Sequence, residues 1–229
     1  MHIPDGFLDG RTMGALWGVS GATTAYALYR VRETLDDAKK VPLIGVTAAF
    51  VFAAQMLNFP VAGGVSGHFV GALLACVLLG PWEGFLVMEV VLLVQCLLFS
   101  DGGLAALGAN IFNMAILSGL LSYYLFALAK SLIARRGGEK AAILTSAGLF
   151  AWFSVVIASV ACSFELAISG TLPLSTGLPT MVGVHSLIGI GEAFITVAVL
   201  AVVLQARPDL VSAYKSPGLS AGLPAGEVA

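Results

Sequence analysis

The chain alternates between long apolar blocks and short polar breaks. The blocks are Thr12–Tyr29, Val41–Phe59, Phe69–Gly80, Phe85–Phe99, Asn110–Ala129, Ala141–Phe164 and His185–Ala206. A helix that crosses the hydrocarbon core of a bilayer needs about 20 mostly apolar residues, so the pattern predicts seven transmembrane helices. The third and fourth blocks are short. At about 1.5 Å per residue, Phe69–Gly80 spans about 18 Å, which is tolerated where its end lines a polar cavity. Pro81-Trp82-Glu83-Gly84 reads as a tight turn that keeps the third and fourth spans separate. The predicted membrane domain therefore covers residues 1–206. The remainder, 207–229, is rich in Pro, Gly, Ser and Ala and reads as a disordered cytoplasmic tail. No internal repeat is evident.

Composition supports the lipid reading and excludes others. Of 229 residues, 59% are hydrophobic and 10% are charged, with mean hydropathy +0.97, where a soluble domain carries about 25% charged residues. The fold class is thus an all-α integral membrane protein. No basic tract suggests nucleic acid. Charge placement sets the orientation. With seven spans and the N-terminus outside, Arg30, Arg32, Lys39, Lys40, Lys130, Arg135, Arg136, Lys140, Arg207 and Lys215 all fall inside, leaving only Arg11 of the 11 Lys and Arg residues outside. Such a one-sided count follows the positive-inside rule. The C-terminus then faces the cytoplasm, and His2, His68 and His185 gather at the outer side.

The start of the chain carries the candidate chemistry. MHIPDGFLDG has neither a basic n-region nor an apolar h-region, so no signal peptide is expected. His2 is too bulky for removal of Met1, and the mature chain is expected to begin Met-His. A free amine followed by histidine offers three nitrogens: the Met1 amine, the His2 amide and His2 Nδ1. Amine to amide closes a five-membered chelate ring, amide to Nδ1 a six-membered one, and the three donors lie in one plane. One more imidazole completes a square-planar set, a geometry of Ni(II) or Cu(II), with Co(II) also possible. An N-terminal histidine is more often simply solvated. Two features argue against that here: Pro4 and Asp5-Gly6 shape the tail, and Ile3, Phe7 and Leu8 make it apolar enough to insert into the bundle. His68, after the glycine-rich stretch 60–67, is the natural fourth ligand, against the alternative of a helix-start packing residue.

Polar residues inside spans are functional candidates. Asn110 and Asn113 share a face at i, i+3; Gln95 lies one turn before an outer loop; His185 and Glu192 share a face at i, i+7. Any of these could hold a ligating imidazole by its other nitrogen, or could merely tie helices together. Glu89 and Glu165 are weaker candidates. Gly14, Gly18 and Ala22, and Gly67, Gly71 and Ala75, form small-residue stripes for helix packing or partner docking. Cys76, Cys96 and Cys162 are far apart in apolar runs and read as buried hydrophobes. No GxxxxGK[ST] motif is present, so any ATPase is a separate chain.

MHIPDGFL, GGVSGHFVGA, LFSDGGLAALGANIFNMA (98–115) and HSLIGIGEAFIT (185–196) together resemble the CbiM/NikM family, the cobalt/nickel substrate-binding components of energy-coupling-factor transporters. The resemblance runs from Met1 to about Leu204. It implies a seven-helix bundle with an inserted N-terminal segment, residues 1–11, and a divalent cobalt or nickel ion held by Met1, His2 and His68. It also implies a transmembrane coupling protein, cytoplasmic ATPase subunits, a location in a prokaryotic cytoplasmic membrane, and ion supply for cobalamin synthesis or nickel enzymes. No fused C-terminal domain is seen, so any accessory membrane protein is expected to be separate. Two rival readings stay open: a membrane-embedded metalloenzyme, which lacks HExxH or a comparable signature, and a structural or assembly subunit.

Overall fold

The computed structural model describes residues 1–32, 40–61 and 65–214. Helices occupy all seven expected blocks. They are α1 (Gly10–Val31), α2 (Val41–Gln55), α3 (Ala72–Leu79), α4 (Pro81–Phe99), a continuous rod made of α5 (Leu107–Ile111), a π-helical stretch (Phe112–Leu121) and α6 (Ser122–Gly137), then α7 (Glu139–Ile168) and α8 (Leu174–Ala206). Four stretches are long and apolar enough to cross a membrane: Pro81–Phe99, Leu107–Arg135, Glu139–Ile168 and Leu174–Ala206. α2 is apolar but shorter. α1 has the length, but its Gly, Ser and Thr residues dilute its apolar character. Many large apolar side chains are exposed, including Leu98, Leu187 and Phe194, as expected where lipid replaces water. The chain is a multi-pass membrane protein.

α3 lies at the centre, and all eight of its residues are buried. α4, the π-helical stretch, α7 and α2 surround it. α7 packs along α8 through the turn at 169–173. α1 packs on α4 and α5, where Trp17 Nε1 donates to Ala105 O at 2.8 Å and Ser20 Oγ to Gly108 O at 2.7 Å. Asp9 caps α1 by accepting from the amides of Arg11 and Thr12. Those bonds, led by the one from the Thr12 hydroxyl, lower its carboxyl to about 2.

Several boundaries differ from the pattern reading, each for a local reason. Pro81-Trp82-Glu83-Gly84 is not a separate turn. Proline suits the first turn of a helix, so it opens α4, and the reversal falls on Gly80 alone, at φ 109°. α8 starts at Leu174 rather than His185, carrying Pro179 inside it, so much of the expected outer loop 165–184 is helical. The fold is all-helical as expected, with one short antiparallel hairpin, β1 (Phe59–Val61) and β2 (Val65–Gly67), between α2 and α3. Its register pairs Phe59 with Gly67 and Val61 with Val65. The first part of the expected tail is folded. Pro208–Leu210 forms a 3-10 turn, Val211 and Ala213 are buried, and the amides of Ser212 and Ala213 donate to Leu78 O and Val77 O at the end of α3. Residues 215–229 lie outside the described residues. Among the described residues, nothing lies within 4 Å of a Cβ built at Gly14 or Gly18, so none of them packs on that part of the stripe.

Candidate metal centre

The first three residues are buried inside the bundle: Met1 and Ile3 have no exposure and His2 has 4%. Apolar Ile3 gains by leaving water, but burial also requires partners for the main chain. Asn110 supplies two of them. Its Oδ1 accepts from Ile3 N at 2.8 Å, and its Nδ2 donates to Ile3 O at 3.2 Å. Gly103 N donates to the same oxygen at 2.9 Å. The Asp5 carboxylate then accepts from the successive amides of Leu104, Ala105 and Ala106. The 100–103 loop must come close for this. A Cβ at Gly103 would overlap the main chain and carboxylate of Asp5, and Gly102 takes φ 94° beside His2 and Asn110. Thr171 Oγ1 donates to Phe7 O and Ser169 Oγ to Asp9 Oδ2, which ties the rest of the segment to the α7–α8 turn.

His2 and His68 meet as stacked rings, with centroids 4.6 Å apart and planes at 22°. The hairpin β1–β2 delivers His68, which is fully buried. His68 Nδ1 pairs with Phe69 O at 2.6 Å. A carbonyl only accepts, so the proton is on Nδ1 and the Nε2 lone pair is left for another partner. That Nε2 is buried without a hydrogen bond. His2 Nε2 pairs with Gln95 Oε1 at 3.1 Å, and His2 Nδ1 lies 3.3 Å from Asp101 Oδ1. Burial lowers the Met1 amine to about 5. It lowers His2 to about 4, with the amine as the next cause, and depresses His68 strongly for the same two reasons. The Met1 amine and His2 are therefore uncharged at neutral pH.

The other sequence candidates divide into three groups. Gln95 holds His2 directly. Asn110 and Glu192 hold main chain rather than an imidazole: Glu192 accepts from Val70 N at 2.9 Å and Gly71 N at 2.6 Å, bracing the segment after His68. Gln55 Nε2 braces the same turn through Val70 O at 2.6 Å. Asn113 points elsewhere, donating to Glu165 Oε2 at 2.7 Å. The π-helical register turns it there, as seen in the i−5 bonds of Ser118 Oγ to Asn113 O and Ser122 Oγ to Leu117 O. His185 donates from Nδ1 to Met181 O at 2.7 Å. Its buried Nε2 has no hydrogen bond, and it lies within electrostatic reach of His68 and the Met1 amine. His185 and Glu192 share a face but serve different partners. Sequence reasoning missed Asp101 and Gln55, and saw Asp5 only as part of a turn rather than as the acceptor for the 104–106 amides. The SDGG stretch was the available signal for Asp101. Among the described residues, no three side chains of His, Cys, Asp or Glu are grouped to hold an ion by themselves.

With this geometry in hand, the match to known proteins is specific. Residues 2–210 fit the family model described as the cobalt uptake substrate-specific transmembrane region. The chain belongs to that family. It is 33% identical to a cobalt transport protein, CbiM, of Sorangium cellulosum over 97% of this chain and 99% of that one. It is 41% identical to a putative fused nickel transport protein, NikMN, of Archaeoglobus fulgidus, over 95% of this chain and 70% of the relative. A crystal structure of a truncated transition metal transporter superimposes with a TM-score of 0.80 at 30% identity, covering 90% of this chain and 99% of that one.

Proposed function

We propose that this protein captures divalent cobalt or nickel at the outer face of a prokaryotic cytoplasmic membrane, as the substrate-binding component of an energy-coupling-factor importer. One observation carries the reading: the first two residues are buried against His68 with the lone pairs of His2 Nδ1 and His68 Nε2 directed away from local hydrogen bonds. The Met1 amine, the His2 amide, His2 Nδ1 and His68 Nε2 then supply the planar four-nitrogen set. Four nitrogens in a plane leave no in-plane position for a reacting water, which argues against the metalloenzyme reading. A coupling protein and separate ATPases would drive inward release, and the small-residue face of α1, which meets none of the described residues at Gly14 and Gly18, suits such a partner. The Lys and Arg distribution supports an outer N-terminus and an inner C-terminus.

The test is to extend the chain by four residues before Met1, which turns its amine into an ordinary peptide nitrogen without placing the histidine third from the new terminus, and separately to make His2→Ala and His68→Ala, then measure bound Ni(II) and Co(II) in the purified protein. Each change removes one donor, and the reading requires loss of bound ion in all three. Full metal content in the extended protein would sink it.

A further inference from the structure

The donor set leaves an electrostatic problem. An amide nitrogen binds a metal only after its N–H bond breaks, the electron pair staying on nitrogen to form the metal bond and the proton passing to solvent. The amine and the two imidazoles are neutral donors. A divalent ion on this set therefore leaves one net positive charge in a buried site, and an uncompensated buried charge is costly.

One carboxylate stands where compensation is needed. Asp101 Oδ1 lies 3.3 Å from His2 Nδ1. Gln95 Oε1 is the acceptor at His2 Nε2, so the proton of His2 sits on Nε2, and Nδ1 turns a lone pair toward a carboxylate that also has only lone pairs. His2 Nδ1 and Asp101 Oδ2 are both buried without a hydrogen bond. Two electron-rich groups face to face are stabilised by a cation between or beside them, not by each other. The field of Asp101 also reaches the Met1 amine. Its position is imposed by the chain: Ser100 ends α4 in the left-handed region at φ 54°, and Asp101 N returns to Gln95 O at 3.1 Å.

Asp101 is also the part of the site nearest the outside. Its side chain is 20% exposed, against 2% for His2. Its chain neighbours Ser100 and Gly102 line a surface cavity of about 410 Å³ together with Pro4 and Asp5. Asp5 is spoken for, because both of its oxygens accept main-chain amides.

We propose that Asp101 is the carboxylate that meets the arriving ion at the mouth of the site and then remains as its counter-charge, cancelling the single positive charge of the loaded four-nitrogen set. This rests on the function proposed above and adds a residue to it. The carboxylate acts by its charge, so Asp101→Asn, which preserves shape, removes the effect, and Asp101→Glu, which keeps the charge, restores most of it.

The experiment uses the purified full chain in detergent, with Ni(II) and Co(II) each titrated against a competing chelator. Association rates are followed at low and high ionic strength. For Asp101→Asn we expect a loss of affinity on the order of 10- to 100-fold, an unchanged melting temperature for the empty protein, and an association rate that no longer slows with added salt as the parent's does. Asn affinity within twofold of the parent, with His2→Ala still losing the ion, overturns the role of Asp101 and leaves the function reading standing. An affinity loss that Glu does not restore, with the salt dependence intact, marks Asp101 as a positioning group for His2 and also overturns it. A parent protein whose association is insensitive to salt does so without any variant. Retention of the ion by His2→Ala removes the site itself.

Discussion

Asn110 offers the sharpest test of how the N-terminal segment is held. Its side chain is 1% exposed and makes both a donor and an acceptor bond to the main chain of Ile3. In Asn110→Ala, Ile3 O keeps its bond from Gly103 N, so that oxygen is still satisfied. Ile3 N–H has no such substitute and is left buried without a partner, at a cost of about 1–3 kcal/mol. At about 1.4 kcal/mol per factor of ten, the equilibrium between seated and unseated segment shifts by about 5- to 150-fold. In the function proposed above the ion binds only the seated form, so affinity for Ni(II) falls by up to the same factor, about 5- to 150-fold. The same shift has a second, metal-free readout. The Met1 amine is buried when seated, so an amine-reactive reagent labels it through the open population. Labelling speeds up by the factor by which seating weakens. Ser118→Ala is the control. It removes bonds to Asn113 O and Ser154 O and touches nothing in the segment, so it lowers stability without changing either readout. If Asn110→Ala keeps parental affinity and labelling rate, the side chain does not hold the segment and the reasoning fails.

Three further predictions follow from the same contacts. Gly103→Val places side-chain atoms inside Asp5 and is expected to expel the segment, abolishing ion binding while far-ultraviolet circular dichroism stays helical; retained binding refutes the close approach. Glu192→Gln keeps one acceptor oxygen but turns an amide NH2, a donor, toward the second of the main-chain N–H groups of Val70 and Gly71; chelator competition should show an affinity loss of about tenfold through displacement of His68, from about 1–3 kcal/mol of lost bonding, and parental affinity would refute the bracing role. Because burial lowers the Met1 amine to about 5 and His2 to about 4, only the amide proton is displaced near neutrality. Affinity should then rise about tenfold per pH unit between about pH 6 and 8 and fall more steeply below about 5, where the amine and then His2 take up protons first; a two-proton slope near neutrality would show an amine with its ordinary basicity.

Much of this was legible from the chain because lipid imposes a simple rule: apolar blocks become helices. The Met-His start drew notice because its proposed chemistry depends on chain position, and the structure buries it beside His68. What escaped depended on context. Proline breaks a helix interior but opens one comfortably, so Pro81 read as a turn. The Thr, Ser and Gly residues before His185 read as a loop, yet Thr176 Oγ1 and Thr180 Oγ1 bond carbonyls of the preceding turn within a helix that continues past Pro179. The spacing of Asn110 and Asn113 suggested a common target, but the wider π turn separates them, one to Ile3 and one to Glu165. Asp101 was passed over because a loop aspartate beside two glycines looks like turn chemistry; only the folded position of His2 gives it a second meaning.

The anchoring of residue 3 by residues 103 and 110 has a consequence for biogenesis. The N-terminal end leaves the ribosome first, yet its partners lie a hundred positions later in the chain. The opening residues must therefore wait unplaced while α1 to α5 are made. Their seating is a late, long-range closure of the kind that slows folding. The residues read first from the message are thus among the last to find their place, and a nascent chain arrested before Asn110 has a full Met-His sequence and no site.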